Sequence, residues 1–305
     1  MDASEKISKP SRYLKWGVER RMEFIEFRLY WEGRINRRDL IEQFGVSLPQ
    51  ASADFNQYQE MVPGNLVYDT RAKHYYPSGR FKPRLLKPDS DRYLANLQSM
   101  SSGILTVEES WLDAIPTYDV LPQPRRAIDP DRLRRVVTAI REGVAVQVRY
   151  QSMNAPKPEW RWIAPHALAF DGYRGHVRAF CHRSGAFKDF VMARIVDVRG
   201  IREHTQNLAD DLEWHEVVDV RIGPHPGLTE HQRKAIELDY GMENGEVVLS
   251  VRRGLLFYFL KRLGLDIDPD LRRPVHQQIV LLNPDDVFRE EMDSHDRTPF
   301  RPPIQ

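Results

Sequence analysis

Disulfide chemistry has no material in this chain: among 305 residues there is one cysteine, Cys181. That excludes an internal disulfide framework and any zinc or iron–sulfur site built on several thiolates. Long apolar runs are missing too. No stretch reaches about 18 consecutive apolar residues, and the first twenty residues are polar and basic without an apolar signal core. Secretion and membrane insertion are therefore not expected, and a cytoplasmic location is. Net charge is scarce: 45 Lys and Arg against 44 Asp and Glu leave +1, which selects no partner. The chain also lacks a G-x-x-x-x-G-K phosphate loop, a G-x-S-x-G elbow and an H-E-x-x-H pair. Asp266-Ile267-Asp268-Pro269-Asp270 imitates the start of a calcium loop, but Leu271 stands where that loop needs glycine and Gln277 where it needs glutamate. Cys181-His182 beside His176 makes no metal set, since strand alternation puts Cys181 and His176 on opposite faces. Neither catalysis nor a cofactor is expected.

What the chain has is an uneven distribution of its charge. Residues 1–84 carry a net +4, residues 85–127 a net −2, residues 128–204 a net +6 and residues 205–305 a net −7. Two basic modules and an acidic C-terminal one suggest two surfaces for anions and one that avoids them.

Residues 14–30 place Leu14, Val18, Met22, Ile25 and Leu29 at helical spacing. Asn36 opens a short helix through Phe44, and Gly45 stands where a helix end favours a left-handed residue. Ser47-Leu48-Pro49-Gln50 has capping-box form and begins a third helix, with Ala51, Phe55, Tyr58 and Met61 inward. Two helices joined by a short glycine-containing turn have the spacing of a helix-turn-helix. Leu66–Tyr68, a polar turn Asp69–Lys73, and His74–Tyr76 then read as a hairpin, so residues 1–84 are expected to be a winged helix-turn-helix. The second helix of such a unit enters the major groove with its N-terminal turns foremost. Its outward candidates are Ser47, Gln50, Ser52, Asn56 and Gln57; Gln and Asn can pair with adenine edges, and Ser more often meets phosphate. Arg37, Arg38, Arg71 and Lys73 are placed for backbone contacts from the preceding helix and the wing.

Residues 85–127 form a proline-punctuated helical connector, with helical patterns over about 89–99 and from the capping box Thr106-Val107-Glu108-Glu109. Asp129-Pro130 caps a helix through Ile140. From Gly143 the period changes to two: Val144, Val146, Val148 and Tyr150 alternate with Ala145, Gln147 and Arg149. Strands are expected at 160–163, 168–170, 175–181, 189–193 and 195–201, which suggests a small β-barrel or strongly bent sheet. In 175–181, His176 and Arg178 share one face, opposite Val177, Ala179 and Cys181. With Arg194, Ser152 and His166 nearby in pattern, these make the beginnings of an anion site. The last hundred residues alternate strand 217–222, helix 229–240, strand 246–251, helix 254–263 and strand 277–282, with a polar tail from 292.

The stretch Val148–Ile201, with Tyr150-Gln151-Ser152, Arg161–Leu168, Tyr173–Phe180 and Phe190–Ile195, resembles a WYL domain. The variant with His-Val-Arg-Ala-Phe is similar to dimeric regulators encoded beside anti-phage systems such as CBASS and BREX. The resemblance implies an α+β, multidomain chain. Its parts would be an N-terminal winged helix-turn-helix (1–84), the helical connector (85–127), a central Sm/SH3-like β-barrel or WYL domain (128–204) and a small α/β WCX domain (205–305). It also implies that Ser152, His166, His176, Arg178 and Arg194 face an anionic nucleotide or oligonucleotide effector. Gly175-His176-Val177 stands where the family has Trp-Tyr-Leu: His keeps a polar ring, and Gly removes a bulky side chain. The expectation is a homodimeric repressor of a phage-defence operon, bound to palindromic double-stranded operator DNA and released or retained by its effector. A non-regulatory nucleic-acid-binding accessory protein would lack operator preference, and a nucleotide-processing enzyme would turn over substrate with the same arginines.

Overall fold

In the computed structural model, which describes residues 16–113, 115–124 and 126–288, the chain forms two units, residues 1–123 and 124–305. Leu14 and the tail from 292 lie outside the described residues. Among the described residues no helix is long and apolar enough to cross a membrane.

The first unit starts with α1 (Trp16–Trp31), α2 (Arg37–Phe44) and α3 (Leu48–Met61). Asn36 caps α2 by accepting from the amides of Arg38 and Asp39, and Asp39 Oδ2 in turn accepts from the Asn36 amide at 2.7 Å, so the two ends of a capping box close on each other. Gly45 ends the helix at φ +64°. Ser47 caps α3, but the box expected there closes by half: Ser47 Oγ accepts from the Gln50 amide at 3.3 Å, and the Gln50 side chain turns instead to Asp54. A hairpin follows, β1 (Leu66–Asp69) and β2 (His74–Pro77), in antiparallel register with Asp69 opposite His74. Asp69 Oδ1 accepts from the amides of Arg71 and Ala72, and Lys73 at φ +56° closes the turn. Met22, Ile25, Leu40, Phe55, Tyr58 and Tyr75 fill the core between helices and wing. Glu26 is fully buried in α1, where its carboxylate accepts from Tyr58 Oη and from the amides of Arg84, Leu85 and Leu86, fixing the chain that leaves the wing. Helix α4 (Ser90–Ser101) packs with Phe27 and Leu112 through Leu97. The Thr106–Glu109 box forms both bonds yet closes only an isolated turn; among the described residues no helix follows it before Pro116.

The second unit begins with α5 (Pro130–Glu142), capped by Asp129 and ended by Gly143 at φ +63°. Five antiparallel strands follow: β3 (Ala145–Tyr150), β4 (Glu159–Phe170), β5 (Gly175–Cys181), β6 (Ala186–Val191) and β7 (Ile195–Arg202), ordered β6-β5-β4-β3-β7. The two strands expected at 160–163 and 168–170 are one long strand. A register shift between Pro165 and Ala167 lets it run through the proline, which has no amide to pair. The expected barrel closure is not found: among the described residues β6 and β7 do not pair. The carbonyls of Ile195 and Val198 on the β7 edge accept instead from the guanidinium groups of Arg132 and Arg135 on α5, at 3.3 and 2.9 Å. Val177, Ala179 and Cys181 lie on the core side with Val146, Val148 and Val136.

The chain continues through a one-turn helix α6 (Leu212–His215), β8 (Val217–Pro224), α7 (Glu230–Asp239), β9 (Val247–Arg252), α8 (Arg253–Leu263), β10 (Ile279–Leu281) and α9 (Pro284–Phe288). Its three strands form an antiparallel sheet ordered β10-β8-β9, with Ile236, Leu256 and Leu260 packed on it.

Candidate nucleic-acid interface and anion site

Helix α3 presents two faces. Ala51, Asp54, Phe55 and Tyr58 are buried, and Asp54 is the unusual member. Its carboxylate takes two bonds from Arg21 of α1, at 2.7 and 3.0 Å, and a third from Gln50 Nε2 at 2.9 Å. A paired fork of this kind fixes direction as well as distance, so α3 is keyed to α1 at a set rotation. The opposite face carries Pro49, Gln50, Ala53, Asn56 and Glu60 in the open, with Ser52 and Gln57 half-buried at its margins. Asn56 stands clear at its centre. Gln50 is exposed but tied back to Asp54, which pre-sets its amide. Ala53 and Leu48, the latter 58 % exposed, escaped a reading that sought polar side chains; the spacing 49-53-56-60 contains the signal for Ala53. Apolar groups here suit a thymine methyl.

The cations expected at the duplex backbone separate into two kinds. Arg71 and Lys73 are exposed at the wing turn, and Arg38 is exposed in contact with Glu42 at 2.6 Å. Arg37 differs. Its guanidinium donates to Tyr75 Oη at 2.8 Å and stacks over the rings of Tyr68 and Tyr75; it braces the wing against α2.

In the second unit, the polar face of β5 is roofed over by α6 and α8. Arg178 is 3 % exposed. Its Nε and Nη2 donate to the two oxygens of Asp211 at 2.7 Å each, Nη2 donates also to Glu213 at 2.7 Å, and Nη1 reaches Asp189 at 3.4 Å. A guanidinium has five N–H groups, so one on Nη1 remains. His166 sits at the register shift in β4 and meets Asp211 at 2.8 Å. His176 Nε2 meets Asp171 at 3.0 Å, and its ring lies 4.7 Å from that of Tyr258 on α8. Among the described residues, His176 Nδ1 is buried and has no hydrogen-bond partner. Gly254, in the first turn of α8, passes so near that a Cβ there would lie 3.3 Å from Glu213 O and 3.7 Å from Arg178 Cζ.

The ionisation of this layer follows from its burial. Burial opposes the charge on Asp211, but Arg178 and then His166 outweigh it and hold the carboxyl below its ordinary value. Burial likewise opposes Asp171, and His176, the Tyr173 and Arg174 amides and the Arg174 guanidinium more than compensate. For Asp189 burial wins over Arg178 and pushes the carboxyl up. Burial also lowers His166 despite Asp211, and raises Tyr258 to about 12. Four carboxylates thus surround the guanidinium groups of Arg174 and Arg178. Two of them, Asp211 and Glu213, come from 33 and 35 residues beyond Arg178, where nothing in the strand pattern announces them.

Arg194 is tied through its carbonyl to the amide of Gln151, the residue before Ser152, at 3.0 Å. Among the described residues the half-buried Arg194 guanidinium has no ion pair or hydrogen bond. Gly175 is not forced by its backbone: a Cβ would make ordinary contacts with Ile128 and Met192 at 3.8 and 3.9 Å.

Three family models match the chain in order. Residues 17–99 match the BrxR transcriptional regulator winged helix-turn-helix domain, residues 131–199 the WYL domain, and residues 217–287 the BrxR transcriptional regulator C-terminal dimerization domain. Among curated proteins, the DNA-binding transcriptional repressor CapW of Stenotrophomonas maltophilia is 41 % identical over 294 residues, covering 94 % of this chain and 97 % of that protein. CapW of Pseudomonas aeruginosa is 39 % identical over 92 % of this chain and 94 % of its own length. CapW of Escherichia coli is 37 % identical over 90 % and 92 %.

Proposed function

The chain belongs to the family of WYL-domain transcriptional regulators that includes CapW and BrxR, and from that membership we propose that it is a DNA-binding repressor of a phage-defence operon. The observation that carries the reading is the outward face of α3, with Asn56 at its centre and Gln50 held by Asp54, keyed to α1 through Arg21. Ser47, Gln50, Ser52, Asn56 and Gln57 approach the base edges. Arg38, Arg71 and Lys73 meet phosphates, and Arg37 orients the wing that carries two of them. The molecule acts as a homodimer through residues 217–287, on a palindrome whose half-sites lie about one helical turn, or a multiple of it, apart.

The middle sheet receives an anionic nucleotide or oligonucleotide. Arg194 and Ser152 give it a first contact, and Arg178, His176 and His166 form the deeper polar layer. A ligand changes operator affinity only through its different affinity for two arrangements of the protein.

Operator binding titrated over a range of salt tests the duplex half. Arg71→Ala and Lys73→Ala should weaken binding to all sequences alike, each lowering the salt slope by about one. Asn56→Ala should leave that slope alone and relax preference at one base position. Equal slopes in wild type and both wing variants would remove the wing from the interface.

A further inference from the structure

Arg178 lies at the heart of the expected effector site, yet its guanidinium is already engaged on all but one N–H. The three carboxylates on it are not equivalent. Asp189 stands directly opposite Arg178 in the β5–β6 ladder, so its backbone is fixed by the sheet. Asp211 and Glu213 belong to the strap that carries α6, a helix of four residues between a single 3-10 turn at Leu208–Asp210 and the start of β8. So short a helix owes little to its own backbone bonds. Asp211 also caps α6, accepting from the Trp214 amide, and meets His166 at 2.8 Å. Beyond the carboxylates the strap is tied by Arg252 Nη1 to Trp214 O at 2.6 Å and by Trp214 beside Arg252 and His166. At its far end Arg253 donates to both oxygens of Glu216 at 2.5 and 2.7 Å, a tie that stays in place when Asp211 and Glu213 let go.

We propose that Asp211 and Glu213 form a built-in carboxylate ligand of the Arg178 site, and that a phosphate-bearing effector binds by exchanging with them, releasing α6 from the sheet. The proposal rests on the effector reading above and adds how that site is kept closed. Charge balance allows the exchange: two carboxylates leave, and a terminal phosphate arrives with nearly the same charge, about −1.5 to −2, and three acceptor oxygens on one group. The buried His176 Nδ1, without a partner among the described residues, supplies one further polar contact for the newcomer. Arg194, not neutralised by any described carboxylate, offers the encounter point. The outcome is transmitted by chain continuity. The residue after α6 is Glu216, and β8 of the dimerization domain begins at Val217. Gly254 brings the start of α8 against both Glu213 and Arg178, so release of the strap takes that contact from α8 as well.

The test uses full-length protein, a 5′-phosphorylated hexathymidylate as probe and the unphosphorylated oligonucleotide as control. Fluorescence anisotropy gives the affinity, and amide hydrogen exchange follows residues 208–216. The Asp211→Asn/Glu213→Gln variant should bind the phosphorylated probe about tenfold more tightly than wild type. Saturating probe should speed exchange over 208–216 in wild type toward the rate of the ligand-free variant, and Arg178→Gln should abolish the gain. If circular dichroism shows the double variant unfolded, Glu213→Gln alone carries this arm, with about a threefold gain expected. Binding to wild type with exchange over 208–216 unchanged overturns the exchange model and leaves the effector reading standing. Absence of binding to wild type and to the two carboxylate variants, with operator binding intact, brings down the effector reading and the exchange together.

Discussion

Asp54→Ala offers a quantitative test of how the reading helix is held. The substitution removes a carboxylate with a fully buried side chain and strands the Arg21 guanidinium, itself only 12 % exposed, in the α1–α3 interface. Losing one partner of a buried ion pair costs about 3–5 kcal/mol, because the survivor keeps its desolvation penalty and loses its compensation. That is a large share of the roughly 5–15 kcal/mol that stabilises a typical domain. With a urea dependence of about 2 kcal/mol per molar, the first unit's transition should fall by about 2 M. Arg21→Met should cost a similar amount by leaving Asp54 unpaired. The double variant Arg21→Met/Asp54→Leu should recover most of the loss, since two apolar groups of similar volume leave no buried charge. Gln50 should lose its fixed orientation in Asp54→Ala and in the double variant, which both lack its Asp54 partner, so operator preference should broaden even where stability returns. Tryptophan fluorescence in urea and operator competition titrations read both quantities. Single losses under about 1 kcal/mol, or a double loss equal to the sum of the singles, would refute the buried lock.

Further expectations concern the turn, the acid range and the roof of the anion layer. Gly45→Ala meets nothing within 4 Å but must hold φ +64°, so it should cost about 1 kcal/mol, seen as a drop of several degrees in the melting of the first unit. Because Asp211 is held below the ordinary aspartate value of 3.8, its stabilising contribution is complete above that value. It is lost as pH falls through the depressed folded value. Urea titrations between pH 7 and pH 2 should therefore steepen at the acid end, and Asp211→Asn should flatten that limb; an unchanged limb would contradict the pairing. Gly254→Ala would place a methyl 3.3 Å from Glu213 O and should speed amide exchange over 208–216 without unfolding the sheet. Exchange at the wild-type rate would show that α8 does not press on the strap.

The elements most legible in the sequence were those whose determinants lie within a few residues. Asn36, Asp39 and Gly45 bound α2 at both ends through bonds that span three or four positions. The alternation in 175–181 does separate Val177, Ala179 and Cys181, in the core, from His176 and Arg178. Local signals misled where tertiary context decides. The Thr106 box made its bonds without a helix behind it, and Pro165 appeared to divide a strand that a register shift carries through. Barrel closure was another such case, since α5 arginines occupy edge carbonyls of β7. In the anion layer the basic residues declared themselves by period. Their carboxylate partners did not, because Asp211 and Glu213 arrive from beyond the sheet through a segment with no periodic pattern. Charge counted by segment set an acidic module apart from a basic one, whereas the fold drives two of those acids onto Arg178.

The central claim, that α3 reads a specific duplex, is tested most directly by sequencing the DNA that the purified protein retains from a fragmented genomic pool, with wild type and Asn56→Ala in parallel. The account predicts that wild type enriches a two-fold symmetric site and that Asn56→Ala enriches the same site with one position per half-site relaxed. Retained DNA with no common site in wild type, or an identical site in both proteins, would contradict it.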